Sequence, residues 1–215
     1  YTTWTSATLT RPKFNGSDLT GANFTSSAIT EFTAPGATLD NANFSNTNTG
    51  LKGANLNGAS MAGANVSRLD MSEAKISDAS LAGANFKDSN LTSVDAQRSD
   101  LSETDFRDAN LTRARFDSSD FTNSNMKSSV LTQTGLYKAN LTGADVSYSE
   151  FDRTNIREVN LTDANLTGSI FTDVNGIHIN MVRDQGLSLA EPLQRTKWAE
   201  EAERQQHERT GSQTN

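Results

Sequence analysis

The sequence predicts an all-β solenoid, a chain wound into stacked coils around one thin core. Three observations carry that expectation. Apolar residues make up only 34% of the 215 positions and the mean hydropathy is −0.60, against about 45–50% apolar in an ordinary layered domain. Those few apolar residues recur with a strict period of five. Five matches neither the period of an amphipathic helix nor the alternation of a long strand.

The period is unbroken from Leu51 to Phe171: Leu51, Leu56, Met61, Val66, Met71, Ile76 and on through Leu161, Leu166 and Phe171, with Ala96 the one small member. The residue two before each is small, as in Ala54, Ala64, Ala84, Ser99 and Ala139, with Leu69, Val94 and Val159 as larger exceptions. The residue immediately before is very often Asn or Asp. An earlier series, from Trp4 through Phe14, Phe24 and Leu39 to Phe44, runs in a different phase, so two extra residues near Thr47 and Asn48 shift the register once. A chain that turns a corner every five residues buries one large and one small side chain per corner and leaves three outside. Stacked coils then share a continuous core, and burial of each large side chain contributes about 1.5–3 kcal/mol. This argues for order despite the polar composition.

The units ANLNG, ANVSR, ANFKD, ANLTR and ANLTG resemble the pentapeptide-repeat family, whose pattern is A(D/N)LXX. The resemblance spans roughly residues 2–173. It implies a right-handed quadrilateral β-helix with four pentapeptides per 20-residue coil. The chain then forms about eight to nine coils and a rod about 40 Å long at the spacing of a parallel sheet. Residues 1–181 form the repeat, with the register shift near 45–50. Residues 182–215 form a C-terminal helical tail or cap.

Within the repeat, residues 27–36 fit worst. Phe32 is large for the small inward position, Ala34 underfills the large one, and Pro35 followed by Gly36 is a turn signal. Either a recognition bulge or a local exchange of volume accounts for them; Val94 beside Ala96 looks like a similar exchange. In the tail, residues 188–209 read as an α-helix with Pro192 in its first turn and Gly211 as its stop. Leu189, Leu193, Trp198 and Ala202 give it a narrow apolar stripe. That stripe serves either to shield the last coil or to carry Trp198 to a partner or a second copy of the chain.

Chemistry is hard to place here. The sequence has no Cys, which excludes disulfides, thiolate zinc sites and thiol nucleophiles. Its two histidines, His178 and His207, are far apart and lack metal-ligand spacing. No cofactor, metal or catalytic residue is expected, because a convex rod with a packed interior lacks the enclosed pocket that catalysis needs. No apolar run is long enough to span a membrane. Of nine Asn-X-Ser/Thr sequons, eight place Asn just before the large inward residue, so the repeat itself generates them; Asn15 is the other.

Surface charge is left to separate the functions. The net charge is −7, with Lys and Arg interleaving the acids along the chain. At a spacing of twenty, Lys87, Arg107 and Lys127 stack as a basic ladder with Asp88 and Asp108 beside the first two, and Asp100 and Asp120 stack elsewhere. Like charges one coil apart repel unless opposite charges lie near, so the ladder is expected to pair with its neighbours. The best reading is a non-enzymatic scaffold, a rigid rod docking onto a protein assembly. The candidate contacts are Lys87, Arg107, Lys127, Leu193 and Trp198. The resemblance also implies two alternatives. One is a DNA mimic that binds gyrase or topoisomerase, against which the interleaved cations argue. The other is a lumenal protein on a photosynthetic complex; a start at Tyr1 suits a processed, imported chain, and the bacterial cytoplasm is the other location considered. Direct nucleic-acid binding is disfavoured by the acidic balance, and a homodimer through the C-terminal helix stays open.

Overall fold

The structure is a computed structural model that describes residues 2–47 and 50–176. The expected helix at 188–209, the tail at 182–215, and with them Leu193 and Trp198, lie outside the described residues. Within them the chain forms a parallel, four-cornered coil. Each residue before a large inward side chain bridges its counterpart twenty residues on: Asn65 to Asn85, Asn85 to Asp105, Asp105 to Asn125. Across the register shift the spacing becomes twenty-two, as in Thr33 to Asn55 and Asn43 to Asn65, and then returns to twenty. The two extra residues therefore leave unchanged which face any later residue occupies.

Both inward positions are buried along the rod, from Ala54, Leu56 and Ala59 to Ala144 and Val146. The 27–36 segment is a regular part of this wall. Phe32, 1% exposed, packs 5.7 Å from Phe14 and Phe44 and 5.9 Å from Phe24, ring centre to ring centre, beside the fully buried Ala34. Volume exchange, not a recognition bulge, is the outcome. Trp4, Phe24 and Phe44 stack in successive coils at 4.9 and 4.6 Å. Short strands form where corners open: β1 (Thr8–Thr10) pairs in parallel with β2 (Ala28–Thr30), and β3 (Glu150–Asp152) with β4 (Ile170–Thr172). After β1 the turn bond cannot close, because Pro12 has no N–H.

The sequence pattern follows from the fate of each backbone N–H. In residues 90–94, Asn90 donates to the Leu69 carbonyl of the coil before (2.9 Å), while Leu91 and Ser93 donate to Asn110 and Thr112 of the coil after (2.8 and 2.9 Å). Val94 closes the corner by donating to Leu91 (3.1 Å). That leaves the N–H of Thr92, which no coil reaches. It donates instead to the side chain of Asn90 (Oδ1, 3.2 Å), and the Thr92 hydroxyl donates to the same oxygen (2.7 Å). The pattern repeats at Asn65, Asp100, Asp120, Asn140 and Asn160. Asn or Asp before the large residue is thus an Asx-turn requirement, and the following Ser or Thr adds a second bond. At three corners without that residue, an acid or amide from the coil before replaces it: Asp40 accepts from Ala62, Asn57 from Ser77 and Asp117 from Tyr137.

The last residue of each corner has positive φ, as the third residue of a type II turn must. Polar residues hold that place repeatedly, among them Asp88 (58°), Arg98 (56°) and Lys138 (59°). None of these positive-φ residues is Val, Ile or Thr, for which the conformation is most strained. Serine in the small inward position joins coils from inside. The Ser99 hydroxyl donates to the Ile76 carbonyl (2.7 Å) and accepts from the Ala79 N–H (3.3 Å), taking over a corner bond. Ser124 is buried with its hydroxyl unpartnered.

Two contrasts in thermal and denaturant stability test this account. Gly50 lies against the next coil, and a Cβ there would sit 2.4 Å from the Asp70 carbonyl oxygen. Gly50→Ala is expected to cost about 2 kcal/mol or more, while Gly58→Asn, with open space around it, changes stability by less than about 1 kcal/mol. Ser99→Ala is expected to cost about 1 kcal/mol, whereas Ser124→Ala, which removes a buried unpaired hydroxyl, is neutral or stabilising. Equal effects in the first pair would contradict the close approach of the next coil at Gly50, and equal effects in the second the hydrogen-bond assignment at Ser99.

Candidate interaction surface

With the interior filled, chemistry is confined to three outward positions per corner, and the coil sorts these onto four faces. On the face that buries Leu19, Leu39, Met61, Leu81, Leu101, Phe121, Leu141 and Leu161, the outward positions carry Asp18, Asp40, Asp100, Glu103, Asp120 and Asp163, and no Lys or Arg at all. On this one face the interleaving of charge along the chain is lost in space, whereas other faces keep acids and bases side by side in successive coils. The acids of this face also serve the backbone: Asp120 accepts from Thr122 N–H (2.9 Å), and Asn140 Nδ2 reaches back to it at 3.2 Å. Asp100 bridges Asp120 in the next coil, as the twenty-residue stacking requires.

The basic ladder lies on the face that buries Val66, Phe86, Phe106, Met126 and Val146. Lys87, Arg107 and Lys127 follow residues that bridge one coil to the next, so they form one column. Its pairing differs from expectation. Arg107 turns to Asp105, two residues earlier, with Nη2–Oδ2 at 2.6 Å and Nε–Oδ1 at 2.9 Å. Asp88 is paired with Arg68 of the coil before at 3.5 Å. The Lys127 ammonium lies 5.5 Å from the centre of the Tyr148 ring. Lys87 and Lys127 have no ion pair among the described residues. The sequence reading missed Tyr148 and Ile170, the two large hydrophobics that stay exposed among the described residues. The available signal was that neither occupies an inward position of the repeat.

Elsewhere ion pairs tie successive coils: Arg11 to Glu31 (3.1 Å), Arg98 to Asp78 (2.7 Å) and Arg115 to Asp95 (3.4 Å). Being exposed and screened by solvent, these pairs add little to stability. Among the described residues, no group of three or more His, Asp or Glu side chains is placed to hold a metal, and no helix is long and apolar enough to cross a membrane.

A four-cornered parallel coil with small and large residues alternating into its core defines a β-helical repeat protein. The pentapeptide-repeat profile matches in 8 copies, over residues 2–30, 51–88, 70–108, 89–127 and 136–173, and the chain belongs to that family. The coil has the family's right-handed β-helical form. Solved structures similar to this chain include HetL, a pentapeptide repeat protein involved in heterocyst differentiation regulation in the cyanobacterium Nostoc sp. strain PCC 7120 (26% identity, 81% of this chain and 86% of that one, TM-score 0.38). Full-length QnrB1, a plasmid-mediated fluoroquinolone resistance protein, is 20% identical over 93% of this chain and 96% of its own (TM-score 0.43). A pentapeptide repeat protein of the Arabidopsis thaliana thylakoid lumen is 22% identical over 66% and 83% (TM-score 0.31). No curated protein matches the sequence.

Asp105 provides a test of the ladder's electrostatics. Hydrogen bonding from the Arg107 guanidinium, aided by its charge and that of Lys87, holds the Asp105 carboxyl below its ordinary value. Its contribution is therefore present above the unfolded value of about 3.9 and lost as pH falls through the depressed folded value. Asp105→Asn, which keeps the Asx bond to the Arg107 N–H (3.1 Å in the parent), should remove that acid dependence at a cost under about 1 kcal/mol at neutral pH. An unchanged acid limb in thermal melts across about pH 2–6, about 2 units either side of the ordinary Asp value, would refute the assignment.

Proposed function

We propose that this protein is a non-catalytic interaction scaffold, a rigid rod that docks onto a larger protein assembly. The observation that carries the reading is the division of labour: the interior is spent on packing, while the outer faces differ in charge and keep uncommitted groups. The basic ladder of Lys87, Arg107 and Lys127 is the docking face we favour, together with Leu193 and Trp198 in the tail. Residues 1–181 are read as the rod and 182–215 as the appended tail. Lys87→Glu, Arg107→Glu and Lys127→Glu combined with Trp198→Ala should abolish capture of the partner from native lysate, with the rod still folded by circular dichroism. Capture that survives all four changes would show that the wrong faces were chosen.

A second reading draws support from the cation-free face bearing Asp100, Glu103 and Asp120. Carboxylates on two adjacent coils, with no cation on their face, supply part of the negative surface that a protein imitating DNA toward gyrase or topoisomerase needs. A gyrase supercoiling assay, with and without ciprofloxacin, decides it: on this reading the protein alters inhibition, and Asp100→Asn with Asp120→Asn weakens the effect while preserving the Asx turns. No effect at micromolar protein removes it.

A further inference from the structure

We propose that residues 198–203 of the chain's own tail dock on the ladder face, so that the two candidate partner surfaces cover one another. This rests on the reading of the ladder as a docking surface.

The strip on the rod has a fixed order. Nearest the end from which the chain leaves at Gly176 come Tyr148, 61% exposed, and Ile170, 49% exposed. The Tyr148 ring lies over Gly168, where an added Cβ would come within 2.7 Å of it, and Ile170 follows Gly168 by two residues. Tyr148 ends a unit of the ladder face, and Ile170, paired with Glu150, opens the adjoining face one coil on, so the two flank the same edge. Lys127 follows, with its ammonium over the Tyr148 ring, then Arg107 and Lys87, each one coil further from that end. An apolar foothold leads into a column of cations, two of which have no carboxylate partner among the described residues.

The tail carries the complementary order. Trp198 is followed by Glu200, Glu201 and Glu203, with no Lys or Arg between 198 and 203. An aromatic anchor thus leads a short run of carboxylates, in the sense that sets Trp198 on Tyr148 and Ile170 and the acids over the ladder. The connection is long enough: the stretch from Gly176 to Trp198 reaches up to about 70 Å when extended, more than the full length of the rod at about 4.8 Å per coil. Individually weak, exposed contacts suffice for such a docking because tethering supplies an effective concentration of about a millimolar. Aromatic anchors beside charged rims are also the usual form of a compact interface. An acidic or aromatic partner segment must then displace the tail to reach the ladder.

Because the chain has no Cys, engineered disulfides give an unambiguous reading. Ser128 is exposed on the ladder face beside Lys127, and Ser118 is exposed on the opposite face. At micromolar protein and low salt, Ser128→Cys with Ala199→Cys should form a disulfide within one chain at about tenfold the yield of Ser118→Cys with Ala199→Cys, because both pairs share the tether and only the first lies on the docked face. The yield should fall at high salt as screening predicts, fall with Lys87→Glu, Arg107→Glu and Lys127→Glu, and recover when Glu200, Glu201 and Glu203 are changed to Lys in that background. Equal yields for the two pairs, a disulfide joining two chains, or loss of yield without recovery would overturn the proposal. The cross-link reads the tail contact alone, so failure to capture a partner leaves its outcome unaffected.

Discussion

One backbone N–H in every five has no partner in the neighbouring coils, and the rest of the molecule is arranged around that fact. The other four are committed, three to adjacent coils and one to the corner. The fifth, at Thr92 and its equivalents, requires an oxygen from a side chain. Where such an amide is shielded from water, leaving it unmet would cost about 1–3 kcal/mol. The Asn or Asp that meets the need also links coils, as when Asn90 Nδ2 reaches Asp70 at 3.1 Å or Asn165 Nδ2 reaches Asp145 at 3.1 Å. Composition, sequon frequency and much of the acidic charge descend from this single requirement.

The coil was legible in the sequence because the core needs one large and one small side chain at fixed places. Phe32 and Ala34 break the template individually yet conserve volume as a pair, which the aromatic contacts of Phe32 account for. Charge was less legible. Along the chain acids and bases alternate, but the coil regroups residues twenty apart, and the insertion offsets the early coils by two. Only then do Asp18, Asp40, Asp100 and Glu103 fall on one face without cations. The ladder itself was visible as a column, but its partners were not: sequence adjacency suggested Asp88 and Asp108, whereas the corner geometry turns Arg107 back onto Asp105. Tyr148 was overlooked because attention to a repeat favours positions that obey it.

Packing and recognition are separated in this architecture to an unusual degree. In a layered domain, changing a surface residue often disturbs a helix or strand that also frames a pocket. Here the outward side chains beyond the Asx position carry few obligations, and where one exists it is local: Asp117 accepts from the Tyr137 N–H, and Asp40 from the Ala62 N–H and the Ser60 hydroxyl. Each face can accordingly hold its own chemistry: carboxylates on one, a cation column leading to exposed Tyr148 and Ile170 on another.

The two-residue insertion before Leu51 shows what kind of length change such a molecule can absorb. Two residues added at a corner leave Asn55 beneath Thr33 and Asn65 beneath Asn43, so every later side chain keeps its compass bearing. Loss of a single pentapeptide would preserve the local pattern and the corner bonds, yet it would rotate everything downstream by a quarter turn and scatter Lys127 from Arg107. Loss of twenty residues would shorten the rod with its bearings intact. Gene lengths in such a lineage are thus constrained less by stability than by azimuth: whole turns are cheap, and quarter turns reassign every face.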